Sequence, residues 1–149
     1  MRPHIYSTFA EIAEALAKRS TCSSRAAVGA VLFDGDDRII ATGFNGSPRG
    51  FPHCDDEGCK LDKDGHCMNA IHAEENALLQ CAFIGRSTSG LSIFTTHIPC
   101  WRCTLRLIQA GISNIIYIKD YGSMVKETIS TCHSYGITIN QFHGKVDYK

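Results

Sequence analysis

The sequence predicts an α/β protein in which helices cover a central five-stranded mixed sheet. Helix-like and strand-like segments alternate along the chain in the order α, β, β, α, β, α, β, α, β. The first two strand candidates are separated only by a short turn, which indicates a hairpin and therefore an antiparallel pair. The later strand candidates are separated by helices, which indicates right-handed crossovers between parallel strands.

The first part of the chain predicts one helix and the hairpin. T-F-A-E at 8–11 has the pattern of a capping box, and apolar residues then recur at helical spacing, so we expect the helix to begin there. V-G-A-V-L-F at 28–33 and R-I-I-A-T-G-F at 38–44 flank the turn D-G-D-D and predict two strands. Residues 46–68 are rich in Gly, Pro, Asp and Cys and predict a long loop, which in a compact domain needs a specific cause of order.

The second part alternates helices and strands. The remaining candidates are a helix at about 70–83, a strand at 91–97, a helix at 99–111, a strand at 114–119, a helix at about 123–135 and a strand at 137–142. The helix at 99–111 opens on Pro99, a residue that the first helical position accepts, and closes on Gly111.

Length and charge limit the classes of function. A chain of 149 residues fits one domain, so we expect residues 1–149 to form a single domain with a Cys/His-rich insert at about 46–68. Fifteen basic residues balance fifteen acidic ones, which favours neither nucleic acid nor an anionic membrane as partner and leaves a small molecule as the expected substrate. No segment approaches the roughly 20 apolar residues of a membrane span, and the first residues lack a signal-peptide core, so we expect a cytoplasmic protein.

Cysteine and histidine spacing indicates a metal centre. His72 lies near the start of one predicted helix, and Cys100 and Cys103 open the next, with one strand between them. Helix starts meet at the carboxyl edge of the sheet, so one imidazole and two thiolates can converge there. Three protein ligands leave the fourth tetrahedral position of zinc to water, which is typical of a catalytic site. Glu74 would then shuttle protons beside the metal.

Each part of this pattern has a simpler interpretation on its own. A lone histidine on an apolar helix is usually structural, and a lone C-x-x-C can be a redox pair. Together, and in this order, they favour zinc. The competing interpretation from a different class is a non-catalytic zinc-binding module in which Glu74 only caps a helix.

H-A-E followed by P-C-x-x-C is the signature of zinc-dependent nucleobase deaminases. With V-G-A-V-L, G-F-N-G-S-P-R-G, C-D-D-E-G-C, G-H-C-M-N-A-I-H-A-E-E-N-A-L-L-Q and A-G-I-S-N-I-I-Y-I, the chain resembles the deoxycytidylate (dCMP) deaminase family over about residues 5–142. The resemblance implies a three-layer α-β-α cytidine-deaminase-like fold and zinc-dependent deamination of dCMP to dUMP, which supplies thymidylate synthesis. In such enzymes the matching glutamate, here Glu74, moves protons from water to N3 of cytosine and to the leaving ammonia. Deaminases of tRNA adenosine or of free bases share the signature and remain the alternative.

Five further residues are candidate nucleotide contacts. Gly43 and Gly46 allow close approach of the backbone to a ligand, and Asn45 offers a donor and an acceptor to a sugar hydroxyl, although Asn-Gly is also a common turn. The resemblance favours the nucleotide contact. It also implies a 5′-phosphate contact for Arg25, which is otherwise a solvated arginine, and a place in the substrate pocket for Tyr121.

The insert carries a second cluster of candidate metal ligands. Cys54, Cys59, His66 and Cys67 lie within 14 residues of a loop with little apolar content, and a structural zinc would order it. The resemblance adds a cysteine before the first strand, and Cys22 is its counterpart although it is one residue out of register. We expect Cys22, Cys54, Cys59 and Cys67 as ligands, with His66 as the substitute. Unliganded thiols are the alternative.

Three other properties follow from the resemblance or from the apolar pattern. The resemblance implies a homo-oligomer, a hexamer, that is activated by dCTP and inhibited by dTTP. The apolar pattern places Cys81 and Cys132 on the buried sides of helices, where we expect them to act as small core residues.

Overall fold

The computed structural model describes residues 2–144 and contains one five-stranded sheet flanked by helices. Its elements are α1 (Ile5–Ala17), β1 (Gly29–Phe33), β2 (Ile39–Phe44), α2 (Cys54–Glu57), α3 (Ala73–Ile84), β3 (Ser92–His97), α4 (Trp101–Gln109), β4 (Asn114–Lys119), α5 (Val125–Ser134) and β5 (Thr138–Gln141). Residue 1 and residues 145–149, the ends of the predicted domain, lie outside the described residues.

The sheet is mixed, as the sequence predicts. Its strand order is β2-β1-β3-β4-β5. Strand β1 pairs antiparallel with β2 and with β3, whereas β3, β4 and β5 are mutually parallel. The hairpin turn is held by Asp34, whose Oδ1 accepts hydrogen bonds from the backbone N–H groups of Asp36 and Arg38 at 2.9 and 3.0 Å. The predicted fold class is therefore confirmed.

Helices cover both faces of the sheet and make three layers. Helix α1 contributes Phe9 to an aromatic cluster with Phe33 of β1 and Phe94 of β3, in which the rings of Phe9 and Phe33 lie 4.5 Å apart. Helices α3, α4 and α5 cover the opposite face, where Ile93 and Leu107 are fully buried. Because successive side chains of a strand point to opposite faces, neighbours such as Ile93 and Phe94 enter different cores.

Helix α1 begins earlier than the capping box predicts. It starts at Ile5, and the Nδ1 atom of His4 accepts a hydrogen bond from the backbone N–H of Tyr6 at 3.2 Å. Thr8 therefore lies inside the helix, and the predicted start there is wrong. A histidine cap, which is not among the common N-cap residues, satisfies the free N–H of the first turn.

Two further helix boundaries differ from the prediction. Helix α4 begins at Trp101 with Cys100 as its N-cap residue, so Pro99 precedes the helix instead of opening it. The insert contains the four-residue helix α2, where the sequence predicts only a loop. None of the helices in the described part of the chain is long and apolar enough to cross a membrane.

Candidate zinc and catalytic site

The two helix starts that the sequence assigns to a metal do meet. His72 is the N-cap residue of α3, with φ −69° and ψ 155°, and Cys100 holds the same position in α4. Cys103 follows in the first turn of α4. The Nδ1 atom of His72 lies 3.5 Å from the sulfur of Cys100 and 3.5 Å from that of Cys103.

These separations fit zinc. A tetrahedral ion with a Zn–N bond of about 2.0 Å and a Zn–S bond of about 2.3 Å would hold nitrogen and sulfur roughly 3.5 Å apart. The three ligand atoms all lie within 4.8 Å of one another. One nitrogen and two sulfurs are a donor set that zinc prefers, and three protein ligands leave one position for water or substrate.

Glu74 lies beside the ligand set in the first turn of α3. Its side chain is only 4% exposed. Burial raises the pKa of Glu74 to about 7, and the Cys100 thiolate adds to the effect, while His72 opposes it. A buried carboxyl with this pKa can both accept and release a proton near neutral pH, which is what a proton shuttle requires.

The two thiols of the site differ in pKa. A hydrogen bond from Cys103 lowers the pKa of Cys100 to about 3, and the same interaction raises the pKa of Cys103. The hydrogen bond to Cys100 also raises the pKa of His72, although burial opposes this. The arrangement thus stabilises a thiolate at the N-terminus of α4, where the helix dipole favours negative charge.

Contacts between the helices fix their relative position. The Nε atom of Arg106 on α4 lies 2.9 Å from a carboxylate oxygen of Glu75 on α3. Within α4, the buried hydroxyl of Thr104 donates a hydrogen bond to the carbonyl of Cys100 at 2.9 Å. The ion pair between Arg106 and Glu75 was not predictable from the sequence, because it depends on which faces of α3 and α4 pack together.

Asn45 has structural contacts in addition to its predicted nucleotide contact. Its Oδ1 atom accepts a hydrogen bond from the backbone N–H of Val28 at 2.8 Å, and its Nδ2 atom donates to the carbonyl of Ala26 at 3.1 Å. The buried amide therefore joins the loop after β2 to the segment before β1. One N–H and one lone pair remain for a ligand, so the nucleotide contact stays a prediction.

Gly43 and Gly46 allow close packing within the protein. A Cβ atom at Gly43 would lie 2.2 Å from the carbonyl oxygen of Ala73, which shows how closely α3 approaches β2. A Cβ atom at Gly46 would lie 2.8 Å from the hydroxyl of Thr21. Gly46 and Ile71 also exchange two backbone hydrogen bonds of 3.1 and 2.8 Å. The structure supplies an intramolecular reason for both glycines, and their predicted contact with a ligand remains a prediction.

Asn76 is a supporting residue that sequence analysis missed. Its Nδ2 atom donates a hydrogen bond to the carbonyl of Phe44 at 2.8 Å, which ties α3 to the same loop. The available signal was its position four residues after His72 in H-A-E-E-N, which places both residues on the same side of the helix.

Arg25 lies in the segment before β1, and Tyr121 lies in the segment after β4. Arg25 is exposed and forms no salt bridge with any residue in the range 2–144. Tyr121 is half-buried just after β4, and its ring meets the ring of His97 edge-on, with centroids 5.4 Å apart. The roles of both residues in nucleotide binding remain predictions.

The second cluster brings four cysteines together. The sulfurs of Cys22 and Cys59 lie 4.0 Å apart, and those of Cys54 and Cys67 lie 3.5 Å apart. All four sulfurs lie within 4.8 Å of one another. Tetrahedral zinc would separate sulfurs by about 3.8 Å, so the set fits one structural ion. Cys22 belongs to the cluster despite its difference in register.

His66, the alternative ligand, lies in a separate exposed group. Its Nδ1 atom is 3.4 Å from a carboxylate oxygen of Asp62, and Asp64 lies close to both. The cluster of four sulfurs is therefore complete without it.

Neighbouring hydroxyls add to the four-cysteine cluster. Hydrogen bonds from Ser24 and Ser23 lower the pKa of Cys59 to about 6, whereas burial raises the pKa of Cys54 to about 12. The serines of C-S-S-R thus support a thiolate in this cluster. The sequence pattern of that segment pointed only to its cysteine and its arginine.

Residues 3–119 match the family model of the cytidine and deoxycytidylate deaminase zinc-binding region. The chain therefore belongs to this zinc-binding deaminase family, and the predicted membership is confirmed. It is 38% identical over 149 residues to the deoxycytidylate deaminase of Saccharomyces cerevisiae, covering 95% of this chain and 46% of that protein. It is 52% identical over 106 residues to ComE operon protein 2 of Bacillus subtilis, covering 71% of this chain and 54% of that protein.

A solved structure is similar over nearly its whole length. The crystal structure of the dCMP deaminase from cyanophage S-TIM5, in complex with dCMP and dUMP, matches with a TM-score of 0.79 and 32% identity. The match covers 95% of this chain and 99% of the phage chain. The present chain spans about half the length of the two curated relatives above.

Proposed function

We propose that this protein is a zinc-dependent hydrolase that deaminates dCMP to dUMP and ammonia, and so supplies dUMP for thymidylate synthesis. The observation that carries the proposal is the convergence of His72, Cys100 and Cys103 beside the buried Glu74. The similarity to a phage enzyme crystallised with dCMP and dUMP supports this nucleotide as the substrate.

The residues of the site have distinct roles in the proposed reaction. Zinc held by His72, Cys100 and Cys103 would act as a Lewis acid that lowers the pKa of a water molecule. Glu74 accepts a proton from the attacking water and delivers it to N3 while the water oxygen bonds to C4 of cytosine. Glu74 then passes the second water proton to the departing amine as the C4–N bond breaks, which releases ammonia. Because Glu74 is buried, it exchanges protons with the substrate and not with bulk water.

The proposal includes a second, structural zinc at Cys22, Cys54, Cys59 and Cys67. The separations between the four sulfurs support a closed tetrahedral site. The insert has few buried apolar side chains, so metal binding would supply free energy that packing does not.

Substrate assays with metal analysis test both proposals. We would incubate the purified protein separately with dCMP, deoxycytidine, dCTP and cytosine, follow the loss of cytosine absorbance, and measure total zinc. Turnover of dCMP with two zinc ions per chain is the expected result. A fully metal-loaded protein that converts none of the four substrates would contradict the proposed function and would favour a polynucleotide deaminase or a binding module.

We also propose that the enzyme is a homo-oligomer, specifically a hexamer. On α3, Phe83 is 74% exposed and Leu79 is 51% exposed, and on α4 Leu105 is 46% exposed. Apolar side chains of this size on two adjacent helices favour contact with another protein surface. Light scattering on the purified protein measures the assembly size directly.

Regulation by dCTP as activator and dTTP as inhibitor is a further part of the proposal. Its support is the family resemblance around G-F-N-G-S-P-R-G. If neither nucleotide changes a full dCMP saturation curve of the oligomer, this part is wrong.

We place the enzyme in the cytoplasm. Two clusters of closely spaced cysteines need a reducing compartment to stay available to metal. Fractionation of cells that produce the protein tests this location.

A further inference from the structure

His97 lies at the edge of the sheet where the zinc-binding helices begin. It is the last residue of β3, three positions before Cys100, and its backbone pairs in parallel register with Lys119 at the end of β4. Its ring meets that of Tyr121, which follows β4, at an angle of 78°. The carboxyl ends of neighbouring parallel strands are where open α/β folds bind ligands.

A hydrogen-bond chain determines which nitrogen of His97 carries the proton. The backbone N–H of Gly29 donates to the hydroxyl oxygen of Thr96 at 3.2 Å, and that oxygen lies 2.8 Å from the Nδ1 atom of His97. Thr96 is only 4% exposed, so its hydroxyl hydrogen needs an acceptor within the protein. Among residues 2–144, the Nδ1 atom of His97 is the acceptor within reach. Thr96 therefore donates to Nδ1, and the ring proton of the neutral imidazole is on Nε2.

The Nε2–H group of His97 remains free for a ligand. It makes no hydrogen bond within the described part of the chain, and it is not among the buried polar atoms that lack a partner. Burial, and then the charge of Lys119, lower the pKa of His97 and keep the ring neutral. The ring thus presents one oriented N–H donor at the sheet edge.

We propose that His97 is a substrate-binding residue whose Nε2–H donates a hydrogen bond to a 5′-phosphate oxygen of the nucleotide, and that Thr96 is its positioning residue. The inference rests on the proposed function and names a determinant of its preference for a nucleotide over a nucleoside. A phosphate oxygen is favoured over a base carbonyl because Lys119 is paired in register with His97 on the neighbouring strand and adds positive charge beside the donor.

The first experiment compares substrates with and without the phosphate. His97→Phe keeps an aromatic ring against Tyr121 but removes the N–H donor, and His133→Phe makes the same change at an exposed position on α5. We expect His97→Phe to raise KM for dCMP by about 10- to 100-fold, as for a lost hydrogen bond to a charged group, with deoxycytidine kinetics unchanged. His133→Phe should match the wild type with both substrates. Zinc content and thermal melting of each variant establish that the site and fold are intact.

The second experiment tests the positioning residue. Thr96→Val removes the hydroxyl that donates to Nδ1, whereas Thr96→Ser retains it. We expect Thr96→Val to raise KM for dCMP several-fold and Thr96→Ser to restore it. Nitrogen-15 NMR of the His97 ring should show the Nε2–H tautomer in the wild type and in Thr96→Ser, and a mixture of tautomers in Thr96→Val. An Nδ1–H tautomer in the wild type would overturn the assignment.

Product binding separates failure of this inference from failure of the proposed function. We would measure the affinities of dUMP and deoxyuridine for the zinc-loaded protein by calorimetry. Loss of dUMP affinity in His97→Phe, with deoxyuridine binding retained, supports the inference without any assay of turnover. Equal losses for both ligands, or no loss for either, overturn it even if the wild type deaminates dCMP. Absence of dCMP turnover in the wild type contradicts the proposed function alone.

Discussion

At the scale of single residues, Glu74 carries the proposed chemistry. Glu74→Gln keeps the size of the side chain but removes its capacity to accept a proton. We expect kcat to fall by about 10²- to 10⁴-fold, the usual contribution of a general acid–base group, with bound zinc unchanged. Steady-state kinetics with metal analysis measure both, and Glu127→Gln on the exposed side of α5 is the matched control. A metal-loaded Glu74→Gln enzyme with wild-type turnover would show that Glu74 is not the proton shuttle.

Asn45 permits a stability prediction that does not depend on any ligand. Asn45→Ala leaves the backbone N–H of Val28 and the carbonyl of Ala26 without their partner. We expect the free energy of unfolding to fall by about 1–3 kcal/mol, because these two partly buried backbone groups lose their hydrogen bonds. Urea denaturation measures the change. An unchanged unfolding midpoint would show that water replaces the amide without cost.

The sequence indicated which residues form the candidate site better than it indicated which other residues they contact. The spacing of His72, Cys100 and Cys103 was sufficient to propose their meeting, because helix starts share one edge of a βαβ sheet. The partners of Asn45 and Gly43 were not predictable, since Val28 and Ala73 are distant in the chain and come close only through packing. A contact with a ligand and a contact within the protein use the same donor, acceptor or small residue. The residue type alone therefore does not distinguish them.

At the scale of elements, the contact between β2 and α3 controls the position of His72. Gly43→Ala would place a Cβ atom against the backbone of α3 one residue after His72. We expect a loss of about 1–3 kcal/mol in stability, as for overpacking, together with weaker zinc binding. Gly35→Ala, which meets no atom within 4 Å, should change neither property. Thermal melting and competition with a zinc chelator provide the two measurements.

The insert provides a test of the second metal. We expect Cys59→Ser to lose one zinc ion per chain and to make residues 46–68 sensitive to proteases, because a structural site needs its four ligands. His66→Gln removes the alternative ligand and should retain both ions. Metal analysis and limited proteolysis are the measurements. Full zinc content in Cys59→Ser with loss in His66→Gln would reverse the assignment of ligands.

Element boundaries were predictable only where local patterns decide them. The predicted strand at 114–119 has the observed bounds of β4, because a continuous apolar run has no competing interpretation between its flanking helices. The start of α1 was missed because His4 acts as a cap, a role that its residue type does not predict. The short helix α2 lies in a segment without a hydrophobic period, where Cys54 is buried in the cluster of sulfurs.

At the scale of the whole molecule, the exposed face of α3 is the candidate interface of the proposed oligomer. Phe83→Glu replaces an apolar residue that is 74% exposed with a charged one. We expect this change to shift the assembly toward smaller species, because an unpaired charge would be buried in the interface. Tyr135→Glu, at a residue 69% exposed just after α5, is the matched control. Sedimentation velocity measures the distribution, and identical profiles for the two variants and the wild type would exclude this face as an interface.

The backbone bridge between Gly46 and Ile71 closes the intervening residues into a loop. The chain leaves the core at Gly46 and returns beside it at Ile71. Two backbone hydrogen bonds between these residues close the base of the loop. Gly46 and Ile71 are therefore held together just before α3, and residues 47–70 contact the rest of the protein elsewhere through Cys22 and through Arg49, which lies over the ring of Phe83. A chain with a shorter loop between Gly46 and Ile71, or one without the four-cysteine cluster, could hold His72 and Glu74 in the same position. A change in the length of this segment would thus leave the position of His72 beside Cys100 and Cys103 in place.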